Sequence, residues 1–412
     1  MLKLGGWDTV TLSDIGLVNT AMKRRQNQLI SEFDYKERSV HVSGRFGAWQ
    51  IGQGGGGRTV FVTIPIQSGK LKFGREGTVD LSGLSVKVKL KLMLLPPPDG
   101  GDHSELRFDL SPDPDAGPDD PVLPIDVIDP HDQLDEMNRQ MLILATAACL
   151  SAHADDVTFV IASVKARGTS DAEQLSTPYR DWGHVVTADG RQYLSLFGSL
   201  NEPKKRPDTI DPSLIATAGS AYLAFSHRMF AQRFLLPEVI KSFKQRAFRA
   251  SGNWVVNTKP IRLPKSKKNG VTVDPMIQGI KLGISGKALV CDVAAEIELP
   301  GRLTFHCKMQ MYMPFKFNAK TGELRFEPDN NPKLDYTVSL PWPLDALIGW
   351  LVRIIVRFFD KPIRNMITSI AQSTQHVASP KVSSANWTGI RDFKTGSARV
   401  DGAIWLADTR SA

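Results

Sequence analysis

The sequence predicts an α+β fold of two modules, in which long, highly curved antiparallel β-sheets wrap around long amphipathic helices. Three observations carry that expectation. Residues 303–317 alternate without a slip, with Leu303, Phe305, Cys307, Met309, Met311, Met313, Phe315 and Phe317 on one face. At about 3.3 Å per residue such a strand spans roughly 50 Å, where a usual strand has five or six residues. That length suits a sheet bent around a tube, which also limits exposed edge. Helical and alternating segments recur in one order in both halves (helix, strands, helix, strands), although no residue-level repeat is present. Finally, 412 residues exceed what one hydrophobic core usually serves.

The elements follow in order. Ser13 is expected to cap a helix carrying Ile15, Val18, Met22 and Leu29. Val60, Val62, Ile64 and Ile66 open the first strands. Residues 84–92 then set five aliphatics opposite Ser85, Lys87, Lys89 and Lys91, the pattern of an antiparallel strand with one wet side. Residues 96–130 hold nine prolines and many aspartates, which predicts a loop or linker insert. A helix over about 133–152 would point Met137, Met141, Leu144, Ala148 and Cys149 inward, and strands return between Val157 and Leu200. The break at 201–208 divides a module of residues 1–207 from one of 208–412. In the second, Ser213 would cap a long helix carrying Leu214, Tyr222, Phe225, Phe230 and Phe234, kinked at Pro237. Strands resume from Asn253, and Val293 and Ile297 lie on the apolar face of the strand that pairs with the methionine strand. A second long helix covers about 344–375, and short strands near Trp387 and 400–406 close the chain.

The formal charge of +8 is unevenly spread. Residues 96–136 contain thirteen Asp or Glu against one Arg, a local −12, so the remainder carries +20. That field attracts anionic surfaces, lipid headgroups or nucleic acid alike. No zinc-finger or ribonucleoprotein motif accompanies it, so nucleic acid is not the expected partner. Cys149, Cys291 and Cys307 lack metal or disulfide spacing and read as apolar fillers. The first residues lack a secretion-signal layout, and no apolar run reaches the roughly 20 residues that span a bilayer. A soluble protein made in the cytoplasm is expected, with export by a signal-independent route left open.

Catalytic and metal motifs are poor. Residues 52–59, Gly-Gln-Gly-Gly-Gly-Gly-Arg-Thr, approach a phosphate-binding loop, but Arg58 replaces Lys and a strand follows where a helix is needed. Asp113, Asp115, Asp119 and Asp120 lack the glycine and closing glutamate of a calcium loop. Asp181, His184 and Asp189 read as polar residues beside a turn, and no nucleophile elbow occurs. Lys204, Lys205 and Arg206 read as linker charge. No cofactor, metal or catalytic residue is expected.

Gly6-Trp7-Asp8-Thr9-Val10, with Ile15, Leu17, Val18 and Asn19 after it, resembles the start of the clostridial P-forty-seven (P47) protein family of neurotoxin gene clusters. Phe230-Ala-Gln-Arg-Phe-Leu-Leu-Pro237, with Phe243 beyond, is similar to that family's long-helix region. The resemblance runs over most of the chain, the 96–130 insert excepted. It implies a bacterial protein of the tubular lipid-binding (TULIP) superfamily, whose curved sheets and helices enclose an apolar tunnel. It names no catalytic residue. The expected function is therefore a lipid or apolar-ligand carrier, or a membrane-lipid sensor. Its lining would comprise Leu303, Phe305, Met309, Met311, Met313, Phe315, Val293, Ile297, Leu351, Ile355 and Phe358. Methionines give a deformable wall, though the same stripe equally describes a filled core. Lys265, Lys267 and Lys268, on a turn-like segment, are the expected contacts to anionic headgroups. Two alternatives stand: a non-catalytic subunit of a toxin-associated or secretion complex, with its protein partners, and an enzyme acting on an apolar substrate.

Overall fold

Alternation along Leu303–Asn318, and over most of Val271–Ser285 and Ala288–Leu299, buries one face of three neighbouring antiparallel strands. The last two pair from Ala288 opposite Pro314 to Leu299 opposite Leu303 without a break. A bulge between Ile277 and Gly279 bends their neighbour. These strands belong to a nine-stranded curled sheet that begins at Phe248 and ends at Thr337. A ten-stranded sheet is built mostly from residues 32–165, with Ala385–Trp387 returning to pair with Val160–Lys165. The computed structural model describes residues 4–408 except 38, 57, 75–76, 112–121, 166–174, 188, 204–214, 216–218, 245, 302, 321–322, 338–346, 378–384, 391–392 and 394. The module boundary at 207/208, the Lys204–Arg206 run and Asp113, Asp115, Asp119 and Asp120 therefore lie outside the described residues.

A six-stranded sheet joins the two curled sheets. Its order is Tyr179–Val186, Gln192–Ser199, Thr9–Asp14, Ala221–Ser226, Ala403–Asp408 and Thr395–Val400. Asp8, just before the first strand, is fully buried and binds Arg228 twice, at 2.8 Å to Nε and 2.6 Å to Nη2. It also accepts from Ser226 Oγ at 2.6 Å and from the Leu200 amide at 2.8 Å. Burial works to raise the Asp8 pKa, yet the hydrogen bonds from Arg228, Ser226 and Leu200 prevail and hold it below its ordinary value. The Gly-Trp-Asp opening is thus a clamp between the chain's start and its middle.

Apolar side chains collect in two large cores. One unites the nine-stranded sheet with the helical stretch His227–Phe243 and the helix Ile348–Val377. The other unites the ten-stranded sheet with the helices Ile15–Arg24 and Glu136–Ala152. In the latter, Val86, Val88, Leu90 and Leu92 are fully buried, as their alternation predicts. Burial pushes the Cys149 and Cys307 thiols up to about 11, so both stay protonated fillers.

Several expectations are corrected. The fold is mostly β, with few helices, rather than sheets wrapped throughout around long amphipathic helices. Asp14, not Ser13, caps the first helix, its carboxylate accepting from the Gly16 amide at 2.7 Å, and that helix ends at Arg24, short of Leu29. The 96–130 insert is no linker: His103–Asp109 and Val122–Ile128 are strands, both paired with Ser85–Leu95. Pro124 is tolerated there because it sits at a register shift on an outer strand. Tyr222 and Phe225 lie in a strand buried on both faces, and helix begins only at His227, capped by Ser226. A π turn over Phe230–Leu235 directly precedes Pro237. On the helix Glu136–Ala152, the buried residues include Leu142, Ile143, Ala145, Cys149 and Leu150, whereas Met137 and Leu144 are exposed. Among the described residues, no helix is long and apolar enough to cross a membrane.

Candidate functional site

The methionine strand brings its expected lining together in one cluster. Phe305, Met313 and Ile297 are fully buried, Met309, Met311 and Val293 nearly so, and Leu351 and Ile355 of the facing helix join them. Leu303, Phe315 and Phe358 sit partly buried at the margin of the same cluster. A groove of about 530 Å³ crosses this sheet where Gly279 and Ala294 lie next to each other in register, and of the expected lining only Val293 and Met309 border it.

A second cleft, of about 560 Å³, is chemically more specific. Residues 350–358 of the helix Ile348–Val377 sort by turn. Leu351, Ile355 and Phe359 are fully buried in the core. One step round, Trp350, Ile354 and Phe358, each four apart, form a half-buried stripe. Arg353 and Arg357, again four apart, stand beside it in solvent. Opposite the stripe runs Leu263–Lys268, whose Leu263, Lys265 and Lys268 also line the cleft. Ser266–Lys268 pairs with the start of Val271–Ser285 through a two-residue turn, Asn269-Gly270, with φ of 50° and 78°. Both positive angles match the hairpin turn for which Asn-Gly is preferred. Strand alternation then sends Lys268 toward the cleft and Lys267 away from it into solvent, so of the three expected lysines Lys265 and Lys268 line the cleft.

Four cations therefore ring an apolar floor. Lys265 lies 3.8 Å from Asp274, and the Arg353 Nε donates to the Gly349 carbonyl of its own helix at 2.9 Å. No carboxylate is among the described residues that line the cleft. Such an arrangement suits an anion with an apolar body: guanidinium forks take two oxygens, ammonium groups add charge, and Trp350, Ile354 and Phe358 cover carbon. Arg353 and Arg357 were legible only as charges interrupting an apolar run. The signal that would have found them is their own spacing of four beside the Trp350, Ile354, Phe358 spacing of four.

The rejected motifs keep structural roles. Residues 50–56 form a strand hairpinned onto Thr59–Phe73, and a Cβ on Gly55 would meet the Thr59 carbonyl at 2.6 Å. His184 bonds Gln192 at 3.1 Å, while Asp189 bonds Thr187 and Arg191.

A family model described as OrfX-like, Protein OrfX2/OrfX3/P47, matches residues 4–323. Among solved structures, P47 from Clostridium botulinum A2 superposes with a TM-score of 0.79 at 18% identity, covering 99% of this chain and 98% of that one. P47 of Clostridium botulinum E1 gives 0.78 at 17%, covering 98% and 99%. These two likenesses show the fold. A lipopolysaccharide binding protein reaches only 0.31 at 11% identity, covering 98% of each chain, and carries no argument. No curated protein matches the sequence.

Proposed function

The chain belongs to the OrfX-like family of OrfX2, OrfX3 and P47 proteins, and from that premise we propose that it is a non-catalytic binder of anionic amphiphiles, a membrane-lipid sensor or carrier. The observation that supports this reading is the cleft in which Lys265, Lys268, Arg353 and Arg357 surround Trp350, Ile354 and Phe358. The headgroup meets the four cations and the first part of the apolar tail lies along the stripe. On this reading the curled sheets and their helices are the TULIP-like frame of the binder. The buried stripe around Met309, Met311 and Met313 is the wall against which a tail could be admitted by side-chain rearrangement.

Each basic residue near an anionic surface contributes about 1 kcal/mol, so four supply about 4 kcal/mol at low salt. Co-sedimentation with vesicles tests this. Phosphatidylserine or phosphoinositide vesicles should bind the protein at low salt and less at high salt, and phosphatidylcholine vesicles should not. An Arg353→Glu/Arg357→Glu variant should lose binding at least tenfold with its unfolding midpoint unchanged. Equal binding by that variant and the parent protein would sink the proposal, as would failure of every anionic vesicle to bind.

A further inference from the structure

The helix Glu136–Ala152 is apolar on more sides than its core uses. Its inner side packs into the ten-stranded sheet through Leu142, Ala145, Cys149 and Leu150, all nearly or fully buried. A second apolar stripe, Met137, Met141, Leu144 and Ala148, recurs at helical spacing; Met137 and Leu144 are 42% and 58% exposed, while Met141 and Ala148 are half-buried and Met141 packs on the core. The neighbouring strand Val122–Ile128 adds Ile125 and Ile128, 40% and 44% exposed. Arg139 fastens the two elements, its Nη1 donating to the Val127 carbonyl at 2.6 Å. Four large apolar side chains on two joined elements thus face solvent. An apolar seam of this kind marks an interaction site.

The rim selects the occupant. Asp126, Asp132, Asp135 and Glu136 are exposed around the start of the helix, Asp129 is half-buried, and Arg139 is the basic residue among them. Asp135 and Asp129 each spend an oxygen on local backbone amides, Asn138 at 2.7 Å and Leu134 at 2.8 Å. Asp132 and Glu136 keep their charge toward solvent. An anionic bilayer is repelled by such a rim. So is a second copy presenting the same seam.

We infer that this seam docks a basic amphipathic helix of a partner protein. The partner lays Leu-type side chains between Met137, Leu144, Ile125 and Ile128, and its Lys or Arg residues reach the carboxylate rim, the helix-in-groove mode of recognition. The contact shares no residue with the basic cleft, so the two sites take partners of opposite charge.

The probe is a fluorescent synthetic heptad peptide of Leu and Lys, titrated against the full chain by anisotropy, beside a counterpart with Glu in place of Lys. The Leu/Lys peptide should bind and the Leu/Glu peptide should not. Met137→Ser/Leu144→Ser should weaken binding at least tenfold, Asp132→Asn/Glu136→Gln should weaken it and flatten its salt dependence, and Arg353→Glu/Arg357→Glu should leave it unchanged. Equal binding of the Leu/Lys peptide by the double Ser variant overturns the inference, as does equal binding of the Leu/Glu peptide. Sedimentation showing a dimer that the double Ser variant dissolves overturns it too, by assigning the seam to a second copy. Should the double Ser variant not fold, hydrogen exchange of the parent chain with the Leu/Lys peptide decides. Slowed exchange over 137–148 supports the seam, and unchanged exchange there overturns it.

Discussion

The helices Glu136–Ala152 and Ile348–Val377 solve one problem in opposite ways. Each buries a stripe against a curled sheet and keeps apolar side chains to spare. On the C-terminal helix the spare stripe, Trp350, Ile354 and Phe358, is half-buried and flanked by Arg353 and Arg357. On the N-terminal helix the spare residues Met137 and Leu144 are exposed, beside Glu136 and the aspartates of the insert. Apolar area supplies the attraction in both places, and charge decides what may approach. On the two proposals made above, the unequal distribution of +20 and −12 along the sequence would separate two binding chemistries on one frame.

That comparison breaks first where a helix meets its core. Phe359 is fully buried and contacts Phe243 and Phe358 with ring centroids 5.6 and 5.1 Å away. Phe359→Ala should cost about 3–5 kcal/mol in chemical denaturation. Phe358→Ala, one position along on the half-buried stripe, should cost about 1 kcal/mol and instead weaken vesicle binding. Similar losses for both would mean that the stripe is core and the cleft is not a site.

The N-terminal helix offers a sharper pair. Leu142 is fully buried and Leu144 is 58% exposed. Leu142→Ala should cost about 2–5 kcal/mol, and Leu144→Ala less than about 0.5 kcal/mol. The reverse order would turn the helix to the orientation in which Met137, Met141, Leu144 and Ala148 face the core. A smaller effect is expected at the clamp between the halves. Asp8→Asn should cost about 2–3 kcal/mol at neutral pH, discounted because Arg228 keeps 32% of its side chain exposed. The folded pKa of Asp8 lies below its unfolded value, so its contribution is present above about pH 4 and fades as pH falls further. The gap between the parent protein and Asp8→Asn should then close in acid. A gap independent of pH would show that packing, not charge, is lost.

What the sequence disclosed follows from how many faces each element buries. Leu303–Asn318 and Ser85–Leu95 bury one side, so their period of two is visible in the sequence and points to the residues that the structure turns inward. Ala221–Ser226 buries both sides and shows no period, so Tyr222 and Phe225 were drawn into a helix that starts later. The helix Glu136–Ala152 is legible, but its two apolar stripes fit two rotations: of the residues expected inward Cys149 is buried and Met141 packs on the core, while Met137 and Leu144 face solvent. In the insert, proline and aspartate content hid two strands whose acidic residues face outward. Half of the cleft, Lys265 and Lys268, was legible as a charged turn. The other half comes from a helix some ninety residues on, and nothing local links the two.

The central sheet also sets a clock. Its strand Thr9–Asp14 lies between partners that begin at Gln192 and Ala221, with Thr9 opposite Gly198 and Phe225. At a synthesis rate of about 5–20 residues per second, that strand waits roughly ten to forty seconds for its first neighbour. Ala403–Asp408, which completes the far side of Ala221–Ser226, comes later still. Throughout the delay the strand Thr-Val-Thr-Leu-Ser-Asp, with Val10 and Leu12 its apolar residues, is carried with both edges open. The nine strands of the ten-stranded sheet that lie within residues 32–165 are close in sequence and are the part free to form while the first strand waits; only Ala385–Trp387 joins them later.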